Sequence, residues 1–342
     1  MVRRTVVAVT SPRGRVLALP AGLCLGFLAD RFLGDPRRFH PVAGFGGLAA
    51  RLESRLYEDS RIAGIAYVVA LVALPAVLAV GVERASAAHP GLRAGAVGVC
   101  TWAVLGGRSL ERAAEAVAAP LERGDLEGAR AGLPALVSRD PQSLDAAGIA
   151  RATVESVAEN TSDAVTAPLF WGAVAGLPGL VAYRASNTLD AMVGYRSERY
   201  RRFGWAAARL DDALNLAPAR VAGGLAIAAA PLVAGSARGA WDAVRRDAPA
   251  HPSPNGGVVE AAFAGVLGVS LGGVNSYGGV VEDRGRLGDG PPPGAADVAR
   301  ANRLSRVVGL GSLALACALA AGRVALAERQ ASGTTFRTSW RR

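Results

Sequence analysis

Residues 62–82 read IAGIAYVVALVALPAVLAVGV, twenty-one positions without a charge, closed by Arg61 on one side and Glu83 on the other. At about 1.5 Å per residue, a helix of that length crosses the roughly 30 Å apolar core of a bilayer. This stretch decides the solvent in which the chain folds. Residues 307–322 repeat the pattern more briefly between Arg303, Arg306 and Arg323, whose long side chains can snorkel to an interface. Residues 16–33, 94–107 and 221–237 are further candidate spans, interrupted by Asp30 and Arg31, by shortness and by Pro231 respectively.

Two apolar runs are broken. Residues 164–183 carry no charge but contain Gly176-Leu177-Pro178-Gly179, where a helix loses a hydrogen bond and gains freedom to turn. The flanking stretches, 108–163 and 184–220, are both rich in arginine, the second holding seven, and both therefore favour the cytoplasmic face. A single crossing would separate them, so 164–183 is expected to return as a re-entrant hairpin. The second broken run, 261–281, is interrupted by Gly272, Gly273 and the polar trio Asn275, Ser276 and Tyr277. Irregular backbone at membrane depth survives only where it is packed in protein or lines a wet cavity, so such breaks point to a site. Residues 108–151 read as amphipathic surface helices broken near Gly124, Pro134 and Pro141. The expected class is all-α: a polytopic helical membrane protein with broken or re-entrant helices and cytoplasmic amphipathic helices, roughly four to six spans in all. One membrane domain is expected over 16–327, with disordered ends at 1–15 and 328–342.

Composition narrows the chemistry. The net charge of +10 comes from arginine alone, because the 342 residues include no lysine. That excludes a Walker lysine on a nucleotide phosphate, a Schiff-base lysine for pyridoxal phosphate and a lysine general base. Aromatic residues are sparse and the arginines lie between apolar runs, which favours membrane-flanking loops over nucleic-acid binding. Cys24, Cys100 and Cys317 sit in apolar stretches without metal-ligand spacing and are expected to be packing residues. The first fifteen residues lack the apolar core of a cleavable signal, so the first span is expected to target the chain.

Polar clusters mark the candidate site. In ESVAENTSDAVTAP, residues 155–168, helical spacing stacks Glu155, Glu159 and Asp163 on one face with Asn160 beside them. That spacing fits magnesium held by carboxylates and substrate phosphate, and equally a solvated face answered by arginine. Residues 183–212 place Arg184, Asn187 and Thr188 on one helical face, with Asp190 one turn after Asn187. Tyr195, Arg196, Arg199, Arg201, Arg202, Arg209, Asp211 and Asp212 follow. Arginine suits bidentate phosphate or carboxylate binding; Arg201 and Arg202 are expected to be membrane-side anchors. In HPSPNGGVVEAAFAG, residues 251–265, Asn255 can cap a helix whose start, at Gly256 and Gly257, outlines an anion site or an ordinary capped helix. Asp35 lies in a Gly-Asp-Pro turn ahead of Arg37, Arg38 and His40, explained in the main as a cytoplasmic turn.

Taken in order, GDPRRFHPV, ESVAENTSDAVTAPLFW, YRASNTLDAMVGYRSERYRRFGWAAARLDD, HPSPNGG followed by EAA, and NSYGGVVEDRGRLGDG resemble the CobD/CbiB family over about residues 22–326. Val258-Val259 and Ser186 depart from its usual pattern. The resemblance implies adenosylcobinamide-phosphate synthase activity, an ATP-dependent amide ligation of aminopropanol or its O-phosphate to the free propionate of adenosylcobyric acid. ATP and magnesium are then expected as co-substrate and metal, without a tightly bound organic cofactor. It further implies Glu155, Glu159 and Asp163 for the metal, and Asp190, Asp211 and Glu159 for catalysis. Arg184, Asn187, Tyr195, Arg199, Ser253, Asn255, Gly256, Asn160 and Asp35 are the expected substrate or phosphate contacts. The implied setting is a multi-pass cell-membrane protein with a cytoplasmic site, as a homo-oligomer or beside other cobalamin-pathway enzymes. A corrinoid transporter and a non-catalytic accessory or sensor protein are the alternatives on the same fold.

Overall fold

The protein is described by a computed structural model covering residues 12–35, 40–137, 141–195, 197–277 and 280–338; Arg37, Arg38 and Arg196 lie outside the described residues, as do the side chains of Asn275, Ser276 and Tyr277. Helix α1 (Pro12–Leu33) is followed by α2 (Pro41–Leu56), α3 (Arg61–Ser86) and α4 (Pro90–Val104). The uncharged run at 62–82 is the body of α3, and Ile62, Val69, Leu74, Val77 and Leu78 on it are each more than half exposed. In water such a stripe would forfeit much of its burial energy, whereas in lipid it is the solvent-facing side. Helix α1 packs against α4 through glycine. A Cβ on Gly22 would lie 2.5 Å from that of Val97, and one on Gly26, a turn later, would strike the Thr101 side chain. The Gly22-xxx-Gly26 spacing is what lets two apolar helices approach without a side chain between them.

The stretch read as amphipathic surface structure forms α5 (Gly107–Glu122) and α6 (Leu126–Gly132), parted at Gly124, whose φ is +74°. On α5 the buried positions Leu110, Ala114, Val117 and Ala118 recur at helical spacing and face the core. Next comes α7 (Ala146–Thr161), whose start is capped by Asp145 accepting from the Gly148 N–H at 2.7 Å. A π-helical turn over Ser162–Thr166 joins it to α8 (Ala167–Val193).

Among the described residues four helical stretches are long and apolar enough to cross a bilayer: Arg61–Ser86, Ala146–Val193, Trp205–Val233 and Ala295–Arg323. The second is not one rod. At Gly176 the backbone adopts φ +69° and ψ −149°, a conformation open to glycine and hostile to other residues. The chain there reverses. Leu180 returns against Gly172, and the Tyr183 hydroxyl reaches the Asp163 carbonyl at 3.2 Å, a pair that a straight helix would hold about 30 Å apart. The expected hairpin is present, with its tip beside Glu83 at the far end of α3, so it runs the depth of that helix instead of dipping partway.

After the hairpin come α9 (Tyr200–Phe203), α10 (Trp205–Ala229), the amphipathic α11 (Ala237–Asp247) and α12 (Gly256–Leu267). The all-α class holds, with one small strand pair added to it. The broken run at 261–281 is the second half of α12 followed by an antiparallel hairpin, β1 (Leu271–Tyr277) with β2 (Val280–Leu287). Gly278-Gly279 between two valine-bearing runs is a hairpin signature, which the apolar reading of the segment overrode. The last helix, α13 (Ala295–Thr338), continues through the 328–338 stretch expected to be a tail, as its Ala, Glu, Arg and Gln content allows, and α1 starts at Pro12 inside the expected leader. A core of Val154, Ala222, Phe263 and Leu304 binds α7, α10, α12 and α13 together.

Candidate active site

The base of the hairpin builds the site. The π-helical turn that opens it is fixed from behind by α13: Thr161 donates to the Ser305 hydroxyl at 2.7 Å, and the hydroxyls of Thr166 and Ser312 lie 2.9 Å apart. An extra residue in the helical repeat, as here, shifts the side chains that follow it, and such turns recur at functional sites. The consequence is that Ser162 and Asp163, adjacent in sequence, both line one cavity of about 1050 Å³.

Three elements meet there. Asn187, on the returning arm of α8, donates its side-chain amide to Asp163 Oδ2 at 3.3 Å and to Asp211 Oδ1, on α10, at 3.4 Å. Asn215, one turn after Asp211, donates to its Oδ2 at 2.9 Å and accepts from the Tyr183 hydroxyl at 2.9 Å. Glu159, Asp190 and Asp212 complete an acidic wall. Arg61, Arg201, Arg209 and Arg284 line other parts of the same cavity, so it carries both signs of charge. Arg61 rests over the Trp205 ring at 5.2 Å, and Arg209 pairs with Asp212 at 3.3 Å.

Of the residues singled out in the sequence, Glu159, Asp163, Asp190, Asp211, Tyr195, Ser253, Asn255 and Gly256 line the cavity, and Asn187 joins two of its carboxylates. Arg184 adjoins them through Asn187, whose Oδ1 is 3.4 Å from its Nη1. Four others are placed differently. Glu155 is buried and accepts from the Gly272 N–H at 2.7 Å, bracing the β-hairpin instead of facing the cavity. Asn160 turns back onto Ser156, at 3.0 Å from its carbonyl. Arg199 leaves the site for α2, donating to Glu53 at 3.1 Å and stacking 4.0 Å from the Tyr57 ring centroid. Asp35 stands 3.5 Å from His40 Nε2 in the turn after α1.

The turn at 253–256 also differs from expectation. Asn255 makes no capping bond with its side chain, which donates to the Asp212 carbonyl at 2.8 Å and accepts from Arg220 at 2.7 Å. The cap is Ser253, whose hydroxyl accepts from the Gly256 N–H at 3.0 Å. The donors of this helix start are thus engaged within the turn, and the turn serves to hold α12 against α10. Beneath it, His251 is buried with its Nε2 3.6 Å from the fully buried Glu260. Burial, with the Arg284 guanidinium acting the same way, holds the imidazole pKa below its usual 6.5 against the opposing hydrogen bond to the Ser253 backbone.

Sequence reading missed Arg61, Arg284, Asn215 and Ser162, and it placed Arg201 as an anchor. Arg284 had a signal, since it lies in the EDRGRLGDG string that carries part of the family resemblance, but nothing in that string showed that a β-hairpin would carry it back over α12. Magnesium fits the acidic wall in one form only. Among the described residues no three carboxylate, histidine or cysteine groups converge as a cage. The ion would take one or two of these carboxylates and complete its shell with water and substrate phosphate, its usual habit.

Comparison with known proteins agrees with this architecture. The family described as CobD/Cbib protein matches residues 23–305. The cobalamin biosynthesis protein CobD of Mycobacterium tuberculosis strain H37Rv is 51% identical over 300 residues, covering 87% of this chain and 95% of that one. Its namesakes in Chromobacterium violaceum and Rhodobacter capsulatus are each 45% identical, covering 88% and 85% of this chain and 97% and 91% of theirs. No solved structure matches the chain. With an identity above half along nearly the whole length and a family match from α1 to α13, this membrane protein belongs to the CobD/CbiB family.

Proposed function

We propose that the chain acts in cobalamin biosynthesis as the ATP-dependent ligase that joins aminopropanol or its O-phosphate to the free propionate of adenosylcobyric acid. The observation that carries this reading is the cavity of about 1050 Å³ lined by both carboxylates and arginines. Amide formation from a carboxylate needs both, because the acid must be activated with phosphate and the amine must be held and deprotonated.

The reaction balances in two steps. A propionate oxygen attacks the γ-phosphorus of ATP and ADP leaves, giving an acyl phosphate. The amine, bound as an ammonium, first gives one proton to Asp211 or Asp190; its nitrogen then bonds to the acyl carbon, the carbon–oxygen bond to phosphate breaks, and the second proton leaves nitrogen with the departing phosphate. Arg61, Arg201 and Arg284 face the phosphates and the carboxylate as charge partners. Magnesium, held by Glu159 and phosphate oxygens, would neutralise charge on the transferred group. The position of Arg61 at the start of α3 sets the cavity at one membrane face, and the arginine-rich segments around it favour the cytoplasmic side of the cell membrane.

The test is mass spectrometry of the corrinoid after purified protein is incubated with adenosylcobyric acid, ATP, magnesium and either amine. A gain of one amine less water supports the ligase and identifies its co-substrate. Absence of product with both amines and native lipid removes it.

A further inference from the structure

The acidic end of the cavity has a feature that the ligase reading does not use. Ser162 is 2% exposed, lines the cavity, and its hydroxyl has no hydrogen-bond partner among the described residues. Its neighbours in the helix, Thr161 and Thr166, both spend their hydroxyls on the chain. A buried hydroxyl without a partner gives up its bond to water for nothing, so its retention calls for a ligand atom.

Two carboxylates that line the same cavity make a specific demand. Asp163 and Asp211 are tied to each other and to the fold by neutral amides, those of Asn187 and Asn215. Among the described residues neither carboxylate has an ion-pair partner within 4.0 Å, whereas Glu53, Glu111 and Asp247 each have an arginine that close. Two carboxylates held in place with neutral donors leave a cation to be supplied from outside. The Asn187 amide sits between them with a proton directed at each, in the position that a bridging divalent ion would need. A primary ammonium needs no such position: it offers three N–H donors in a tripod and carries a single charge.

We propose that Asp163, Asp211 and Ser162 form the pocket for the primary ammonium of the amine substrate, with Asn187 as the residue that positions the two carboxylates. This deepens the ligase reading and rests on it for the identity of the amine. Asp163, Asp211 and the Ser162 oxygen are the three acceptors for the three N–H groups. Asp211 is then already bonded to the nitrogen whose proton must leave, and magnesium is confined to the Glu159 side.

The experiment uses the full-length protein in detergent, with 1-amino-2-propanol as probe and propan-2-ol as the control lacking nitrogen. Saturation-transfer NMR is run without corrinoid or ATP, and KM values are taken from product formation. Wild type is expected to bind the amine and not the alcohol. Ser162→Ala is expected to raise both the amine dissociation constant and its KM about tenfold, as suits the loss of one hydrogen bond to a charged group. KM for ATP and the magnesium requirement should stay at wild-type values. Amine binding that Ser162→Ala leaves unchanged overturns the pocket, as does an amine signal that magnesium alone abolishes by competition. Binding without any ligation leaves the pocket standing and sinks the ligase; ligation with an unchanged amine KM in Ser162→Ala does the reverse.

Discussion

Tyr183 donates its hydroxyl to the backbone carbonyl of Asp163, twenty positions earlier, at 3.2 Å, a contact that exists because the chain between them goes out and comes back. The hairpin therefore has a topological consequence. With Cys24, Cys100 and Cys317 replaced, single cysteines at Glu127 and Arg202, both exposed, should react with an impermeant thiol reagent from the same face of the membrane, and one at His89, beyond the far end of α3, from the other. Labelling of Glu127→Cys and Arg202→Cys from opposite faces would exclude the reversal at Gly176.

Asn187 is the shared donor of two carboxylates, so its removal acts on both. Asn187→Ala leaves Asp163 without its side-chain amide donor and Asp211 with that of Asn215 alone. A cost of about 1–3 kcal/mol is expected from the unsatisfied groups, read as a lowered melting temperature in detergent. Turnover should fall by more than about tenfold, since displaced carboxylates no longer meet the reacting amine.

The two arginines at 199 and 201 separate what spacing suggests from what the fold does. Arg199, chosen from the sequence as a phosphate ligand, is tied to Glu53 on the outside of α2, whereas Arg201, expected to be an anchor, lines the cavity. Arg199→Ala is expected to change KM for ATP by less than about twofold, because an exposed ion pair is worth ~0–1 kcal/mol. Arg201→Ala should raise it by about tenfold or more, the loss of a charge-assisted contact. Steady-state kinetics with the reverse order would return the phosphate role to Arg199.

That pair illustrates where the sequence was legible. Charge-free length announced α3, and Gly176-Leu177-Pro178-Gly179 between two arginine-rich stretches announced the hairpin, because both are local consequences of backbone chemistry and solvent. The acidic cluster was found by helical spacing, which gives a shared face but not what covers it. Glu155 and Glu159 are one turn apart in regular helix, yet the β-hairpin meets Glu155, whereas Glu159 and Asp163 reach the cavity. Arg284 and Asn215 were invisible for a different reason. Their role depends on which elements lie side by side, and no periodicity in a single segment encodes that.

Glycine at 26 is a position where size alone decides. Its neighbours across the interface are Thr101 and the carbonyl of Gly98, and any side chain must push α1 from α4. Gly26→Leu is expected to cost at least the ~1–3 kcal/mol of overpacking, with backbone as one of the obstacles. Folded yield from membranes should fall sharply. Normal yield and melting temperature would show that α1 and α4 can separate without penalty.

His251 gives the fold a dependence on pH. The imidazole lies under the turn that holds α12, and burial keeps it neutral below its usual 6.5, with the nearby arginine acting the same way. The unfolded chain binds a proton near pH 6.5 that the folded one resists, so this stabilisation is complete above about that pH and is lost progressively as pH falls below it. Melting temperature in detergent should therefore decline from pH 7 towards pH 5, and His251→Gln should flatten that decline while lowering stability at pH 7. The opposite slope, with stability rising on acidification, would mean that Glu260, 3.6 Å away, captures the proton as an ion pair and outweighs the burial.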